Sequence, residues 1–275
     1  MDIFASCLLA SDYDQSLTVR GVLPPEAVSA IGDFRREGGI FTICTGRPPT
    51  FLDAFVPELL SDGYIITNNG NILQDLKQDR ILRYCVMDTL LEEIFTVVLS
   101  QDISAFHRIA VYGLNQTWDF PLVFSPDAPD ADLRHPLSLP YPPTAAAFAE
   151  KVPKPVCKAL FVMDTEEHAL HLRDVLRQRF AGRARVSRSW PVGVEICPID
   201  GGKGFMSSKL KRHLKKDVLV CAGDFENDAD MFEAADISYA PDTALEEIKD
   251  LADVVLPAGE HGIFPALIAD LKTKL

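Results

Sequence analysis

Several features are missing from this 275-residue chain, and each absence argues against a class of protein. No apolar run approaches the roughly 20 residues that a membrane-spanning helix needs. No Lys or Arg precedes the apolar stretch 3–10, so the basic start of a secretory signal is lacking and we expect a cytoplasmic protein. No G-x-G-x-x-G motif follows the first predicted strand, which disfavours a nicotinamide-linked dehydrogenase.

The cysteines form no C-x-x-C pair, so a zinc or disulfide framework is not expected. Most of them lie in strand-like apolar runs, and we expect them to be reduced residues of the core. The hydrophobic fraction of 47% is ordinary for a globular protein. The six cysteines are Cys7, Cys44, Cys85, Cys157, Cys197 and Cys221.

Positive charge is also scarce, since 27 Lys and Arg against 40 Asp and Glu give a formal net charge of −13. This balance disfavours nucleic acid and anionic membranes as partners, because both bind basic surfaces. A site for a phosphate group would therefore have to concentrate positive charge locally.

Both ends of the chain alternate between predicted strands and predicted helices. Short apolar runs predict strands over 7–11, 40–44, 64–67, 218–222, 237–240 and 254–256. Helical spacing predicts helices over 25–37, from about 49, and over 204–214, 229–235, 243–252 and 263–271. Repeated strand-then-helix order is typical of a parallel sheet with right-handed crossovers, so we predict an α/β, Rossmann-like core.

The middle of the chain follows a different pattern. Helices are predicted over 87–100 and 165–180, and strands over 108–114, 122–124, 158–163, 184–190 and 194–197. About half of the 19 prolines lie between Pro121 and Pro155, which predicts a largely irregular segment. Residues 71–73 and 81–86 are typical of a hairpin after the turn Asn68-Asn69-Gly70. We predict a discontinuous core, 1–84 plus 198–275, with an inserted α+β domain over 85–197.

Two carboxylates follow the first predicted strand. Asp12 and Asp14 flank Tyr13, and alternate residues of an extended backbone project to the same side. Like charges that close need a cation, a proton or wide separation by solvent, and carboxylate oxygens suit Mg2+. The carboxyl edge of a parallel sheet is also where open α/β folds bind ligands. A solvated Asp-rich turn is the alternative.

Three further segments lie at ends of predicted core elements. Taken singly, Thr45-Gly46 is typical of a turn, Lys203 of a solvated residue, and Asp224 and Asp228 of helix caps. Lys203 is less ordinary, because a cation at a helix N-terminus opposes the helix dipole unless an anion binds there. The segments are Thr45-Gly46-Arg47, Gly201-Gly202-Lys203-Gly204 and Gly223-Asp224-Phe225-Glu226-Asn227-Asp228.

Parallel topology would bring all four segments to one edge of the sheet. There Asp12, Asp14 and Asp224 can hold Mg2+, and the metal together with a lysine concentrates positive charge in an acidic protein. Such a site suits a phosphate, whose oxygens would be bound by Thr45, Gly46 and Lys203.

The ordered set D-x-D, T-G-R, K-G and G-D-x-x-N-D resembles the haloacid dehalogenase superfamily. The large insert between the second and third motifs resembles the type 2 (C2) cap of the Cof-like, subclass IIB phosphatases, and residues 68–70 and 259–263 are also similar to that group. The resemblance implies a core domain, a cap that selects the substrate, and Mg2+-dependent hydrolysis of small phosphorylated metabolites, often sugar phosphates.

The resemblance also implies a role for each site residue. Asp12 would be the nucleophile that forms an aspartyl-phosphate, and Asp14 the general acid and then the base. The metal would be held by Asp12, Asp224 and the backbone carbonyl of Asp14. Asp228 would orient Lys203 or metal-bound water, while Arg47 would contact substrate or form an ion pair. The phosphoryl group would be bound by a backbone N–H near Tyr13 and by Thr45, Gly46, Lys203 and Asn227.

The chain departs from the family pattern at Gln15-Ser16, where Gly-Thr is usual. Ser16 keeps the hydroxyl, but Gln15 makes a glycine-like backbone angle harder to reach. Two alternatives stay open. One is a phosphomutase on the same scaffold, against which the cap argues, and the other is a non-catalytic phospho-ligand sensor, which only Gln15-Ser16 supports.

Five residues of the insert are candidates for contact with the leaving group. For each of them, a role in packing or a place at the surface is the alternative. They are His107, Arg108, Trp118, Arg188 and Trp190. The sequence predicts no oligomeric state.

Overall fold

A computed structural model of the protein describes residues 2–121, 137–138 and 144–275. The chain divides into two compact units. The first unit contains Met1–Arg47, Phe51–Arg83 and Gly202–Leu275, and the second contains Pro48–Thr50 and Tyr84–Gly201. Across the described residues, no helix is both long enough and apolar enough to cross a membrane.

The fold is mixed α/β. Its strands are β1 (Cys7–Ser11), β2 (Ile40–Cys44), β3 (Tyr64–Thr67), β4 (Ile72–Asp75), β5 (Arg80–Tyr84), β6 (Phe106–Tyr112), β7 (Thr117–Pro121), β8 (Leu137–Ser138), β9 (Lys158–Met163), β10 (Ala184–Trp190), β11 (Gly193–Pro198), β12 (Val218–Ala222), β13 (Ile237–Pro241) and β14 (Val254–Leu256). Its α-helices are α1 (Pro25–Arg36), α2 (Leu91–Leu99), α3 (Ala145–Lys151), α4 (Glu166–Arg179), α5 (Lys203–His213), α6 (Ala229–Ala234), α7 (Glu246–Lys249) and α8 (Phe264–Lys274).

The first unit is built on a sheet with the strand order β14-β13-β12-β1-β2-β3-β4-β5. The six strands from β14 to β3 run parallel, and β4 pairs antiparallel with β3. This confirms the predicted α/β fold with a largely parallel sheet. Strand β1 is buried along its whole length, as expected for a central strand covered on both faces.

Helices α1 and α8 pack against each other and against the sheet. Their buried residues include Ile31 and Phe34 on α1 and Phe264 and Leu267 on α8, all in one cluster with Leu9 of β1. Proline at the first position of α1 suits a helix start, since its missing N–H would have no partner there.

The register of the central strands defines the edge on which the chemistry depends. Ser11 at the end of β1 pairs with Ala222 at the end of β12 and with Ile43 near the end of β2. The residues that follow these strands therefore leave the sheet at one edge, and they include Asp12, Thr45 and Asp224.

The second unit contains a six-stranded sheet with the order β10-β11-β9-β6-β7-β8. Helices α2, α3 and α4 contribute Phe95, Phe148 and Leu172 to a hydrophobic core that also contains Phe161 of β9. This core belongs to the second unit alone.

Some elements differ from the sequence predictions. Helix α3 lies inside the proline-rich stretch that was predicted to be irregular, and the Thr144 hydroxyl caps it by accepting a hydrogen bond from the Ala147 N–H at 3.2 Å. The helix predicted from about Pro49 is divided into two 3-10 helices, Pro49–Ala54 and Pro57–Leu60. The predicted strand 122–124 lies outside the described residues.

Candidate active site

The centre of the site is the ammonium group of Lys203, which is fully buried. Its Nζ lies 2.6 Å from Oδ1 of Asp12 and 2.6 Å from Oδ1 of Asp228. Lys203 starts α5, Asp12 follows β1, and Asp228 lies in the loop after β12. Three of the four segments singled out in the sequence therefore meet at one charged group.

Three carboxylates surround this position. Asp12, Asp224 and Asp228 each present one oxygen, and these oxygens all lie within 4.8 Å of one another. Oδ1 of Asp224 accepts a hydrogen bond from the Ser16 hydroxyl at 2.6 Å, which ties the loop after β1 to the loop after β12. Sequence reasoning identified that Ser16 keeps a hydroxyl but not what the hydroxyl binds.

Asp228 already uses both of its oxygens within the protein. Oδ1 binds Lys203, while Oδ2 accepts from the backbone N–H groups of Asp224 at 2.9 Å and Phe225 at 3.2 Å. This arrangement suits a residue that orients Lys203 and shapes the loop around Asp224 rather than a direct metal ligand.

Burial dominates the electrostatics of the cluster. It raises the pKa of Asp12 well above its usual range, an effect that Lys203 opposes and the carboxylates of Asp228 and Asp224 reinforce. Burial works against the charge of Lys203, but Asp12 and Asp228 outweigh it and raise the pKa of the ammonium. Burial, with the nearby Asp228, raises the pKa of Asp224 to about 7.

The donor set fits a hard divalent cation. Three buried carboxylates face one ammonium, so the ionised cluster carries excess negative charge that a cation would neutralise. All three offer oxygen ligands, which Mg2+ prefers. Asp12 and Asp224 are the carboxylates best suited to hold it.

The side chain of Asp14 is not part of this cluster of three carboxylates. Its carboxylate forms a two-point ion pair with the guanidinium of Arg47, at 2.7 and 2.9 Å, and the Asp14 side chain is 49% exposed. The Arg47 guanidinium also lies 5.1 Å from the centre of the Tyr13 ring. Substrate contact and ion pairing were the two roles left open for Arg47, and in this structure Arg47 forms an ion pair.

The groups expected to bind phosphate lie around the same sheet edge. Thr45 is buried, and its Oγ1 accepts the N–H of Arg47 at 3.1 Å, which leaves the hydroxyl hydrogen for another acceptor. Gly46 follows Thr45 directly. The carbonyl of Tyr13 accepts the N–H groups of Leu17 and Thr18 and so closes the turn after β1.

Asn227 has a partner that the sequence reasoning missed. Its Nδ2 donates to Oδ1 of Asn69 at 3.0 Å. Two signals pointed to Asn69 in the sequence: the Asn68-Asn69-Gly70 turn directly after β3, and the similarity of residues 68–70 to the Cof-like group. Neither signal indicated a bond to Asn227.

The residues of the second unit that were predicted as candidates for contact with a leaving group differ in burial and in ion pairing. Trp118 is buried, Arg108 is paired with Asp119 at 2.8 Å, and Arg188 is paired with Glu166 at 2.7 Å. His107 is exposed and Trp190 is 37% exposed.

A family model described as haloacid dehalogenase-like hydrolase matches residues 9–267. The chain therefore belongs to the haloacid dehalogenase-like hydrolases, which confirms the family that the motifs indicated. A protein of Mycoplasma pneumoniae named "Putative phosphatase" is 24% identical over 253 residues, covering 86% of this chain and 85% of that protein.

Solved structures share the fold. A haloacid dehalogenase-like hydrolase from Bacteroides thetaiotaomicron aligns with a TM-score of 0.74 at 19% identity, over 96% of this chain and 98% of that one. A subclass IIB sugar phosphatase of the same superfamily aligns with a TM-score of 0.76 at 18% identity, over 96% and 99% of the two chains.

Gln15 provides a test of backbone strain in the loop after β1. Its φ is +63°, a left-handed conformation that costs an L-residue about 1–2 kcal/mol, and its side chain is exposed. We expect Gln15→Gly to raise the free energy of unfolding by about 0.5–1 kcal/mol, because the relieved strain exceeds the added entropy of the unfolded chain. Urea unfolding measures this. Gln15→Ala, which keeps the Cβ, should give no gain, and an equal gain from both substitutions would contradict the explanation.

The raised pKa of Asp224 predicts that binding of a divalent cation at this cluster depends on pH. Below pH 7 a proton competes with the metal for this carboxylate, so the affinity should fall by about tenfold or more between pH 8 and pH 6. Titration calorimetry in buffers of different ionisation enthalpy would measure the affinity and count the protons released. About one proton or more should be released at pH 6 and few at pH 8; equal affinities at both values would contradict the assignment.

Proposed function

We propose that this chain is a Mg2+-dependent phosphatase that hydrolyses small phosphomonoesters, such as sugar phosphates, through an aspartyl-phosphate intermediate. The observation that carries the proposal is the contact of Lys203 with Asp12 and Asp228 beside Asp224. The name of the Mycoplasma pneumoniae relative and the fold shared with a sugar phosphatase also support it.

Asp12 is the proposed nucleophile. Lys203 holds its Oδ1 at 2.6 Å, and we assign the attack on phosphorus to Oδ2. A bond forms from Oδ2 to phosphorus while the bond from phosphorus to the leaving-group oxygen breaks. The ammonium of Lys203, the hydroxyl of Thr45 and the amide of Asn227 stabilise the charge on the phosphoryl oxygens, and such stabilisation is the main demand of phosphoryl transfer.

Asp14 is the proposed acid and base. It donates a proton to the leaving-group oxygen, then takes one from the water that attacks the aspartyl-phosphate and releases inorganic phosphate. Its carboxylate pairs with Arg47 at 2.7 and 2.9 Å, so this role requires the ion pair to open. The 49% exposure of Asp14 leaves room for that movement.

Mg2+ would be held by the carboxylates of Asp12 and Asp224 and by the backbone carbonyl of Asp14. When bound, it would neutralise charge on the phosphoryl oxygens and on the carboxylates that hold it.

The second unit is the proposed substrate-selecting cap, over residues 85–197. Within it, His107 and Trp190 are the better candidates for contact with a leaving group, because Trp118 is buried while Arg108 and Arg188 have carboxylate partners. The sensor alternative loses its support, since Gln15 adopts the glycine-like angle and Ser16 binds Asp224. Within the part of the chain that the structure describes, no specific contact favours a phosphomutase.

The direct test is removal of the proposed nucleophile. Asp12→Asn should reduce the release of phosphate from para-nitrophenyl phosphate by at least about 1,000-fold, because the amide oxygen is a poor nucleophile. Asp250→Asn, the same change at an exposed site, is the matched control and should keep the parent rate.

Chelation tests the metal in the same assay. EDTA should abolish hydrolysis and added Mg2+ should restore it. Parent-level turnover by Asp12→Asn would overturn the mechanism, and undiminished turnover in EDTA would overturn the metal dependence.

A further inference from the structure

The turn after β3 adopts an unusual backbone. Asn68, Asn69 and Gly70 all have positive φ, at +50°, +55° and +78°. Left-handed conformations are unfavourable for residues with a side chain, although Asn tolerates them better than most. Two consecutive non-glycine residues of this kind persist only where the surroundings hold them.

Backbone hydrogen bonds fasten the turn to the T-G-R segment. The N–H of Asn68 donates to the carbonyl of Arg47 at 2.9 Å, and the N–H of Asn69 donates to the carbonyl of Thr45 at 3.0 Å. The position of Asn69 is therefore linked directly to that of Thr45, one of the proposed phosphate-binding residues.

The same turn packs against the start of α5. The N–H of Gly202 donates to the carbonyl of Gly70 at 3.3 Å, and a Cβ at Gly70 would lie 2.0 Å from the Gly202 carbonyl carbon and 2.3 Å from the Lys203 nitrogen. The turn thus contacts the backbone that carries the central ammonium.

The side chain of Asn69 completes these links. It is buried, and its Oδ1 accepts a hydrogen bond from Nδ2 of Asn227 at 3.0 Å. Asn227 lies in the loop that carries Asp224 and Asp228, and its own side chain is only half-buried. An amide nitrogen carries two hydrogens. The bond to Asn69 uses one of them and fixes the plane of the amide, so it also fixes the direction of the other.

We infer that Asn69 is a positioning residue for phosphate binding: it orients the Asn227 amide so that its second N–H reaches a phosphoryl oxygen. The inference rests on the proposed function, in which Asn227 contacts the phosphoryl group. In this role Asn69 acts through Asn227 and not by contact with a reacting atom.

The test uses a substitution that separates the hydrogen bond from the backbone. Asn69→Gly removes the Oδ1 acceptor but accepts a φ of +55° without strain, so the turn should keep its shape. The variant is compared with the parent, with Asn227→Ala and with the double variant in the full-length chain. Binding of inorganic phosphate is measured by calorimetry with saturating Mg2+, and thermal unfolding is recorded for each protein.

Loss of one orienting hydrogen bond should weaken phosphate binding by about 3- to 10-fold in Asn69→Gly. In the Asn227→Ala background the same substitution should change binding less than twofold, because the group it orients is gone. Unchanged binding in the single variant, or an equal loss in both backgrounds, would overturn the inference.

Hydrolysis of para-nitrophenyl phosphate by the parent distinguishes the proposed function from the proposed role of Asn69. A parent that binds phosphate without turnover contradicts the proposed function. The binding measurements on the single and double variants then still decide the role of Asn69.

Discussion

The site depends on one buried ammonium between two carboxylates. Lys203 is fully buried, and a charge in that position is tolerated only when it is closely paired. Asp12 and Asp228 provide the pairing, each at 2.6 Å. Asp224 lies close to both of these carboxylates, so the ionised cluster contains three negative charges and one positive charge. A proton or a cation would balance the excess negative charge. Burial, together with the nearby charge of Asp228, raises the pKa of Asp224. The excess negative charge of the cluster makes the position suitable for a divalent metal.

Close backbone packing holds the ammonium in place. Gly202 has a φ of +117°, and a Cβ at Gly204 would lie 1.9 Å from the backbone carbonyl oxygen of Asp230. Lys203 lies between these two glycines, where larger residues would push α5 away from its neighbours. Its charge is therefore fixed before any ligand arrives, and a fixed charge stabilises a developing one without reorganisation. The left-handed turn at Asn69 adds a second constraint at the same point of the chain.

The sequence predicted which strands end at the functional edge of the sheet better than it predicted the side-chain contacts along that edge. Strands β1, β2 and β12 have the bounds that their apolar runs predicted, because a buried parallel strand is a nearly continuous apolar run. The meeting of Asp12, Lys203 and Asp228 follows from that topology and from the family motifs. The bond between Asn69 and Asn227 could not be predicted, because it joins side chains 158 residues apart. Both residues lie in segments that resemble the family, but no pattern in the sequence pairs one with the other. Helix α3 was missed because prolines around it masked a short run of alanines whose start depends on one capping threonine.

The most direct measurement is the pH dependence of unfolding for Lys203→Met, without metal, compared with the parent. If the ammonium compensates the carboxylates, the variant should lose about 3 kcal/mol or more of unfolding free energy at pH 8. Without Lys203 the pKa values of the carboxylates should rise further, so part of this loss should be recovered as they gain protons toward pH 5.5. A loss of the same size at pH 8 and pH 5.5, or no loss at all, would contradict the account.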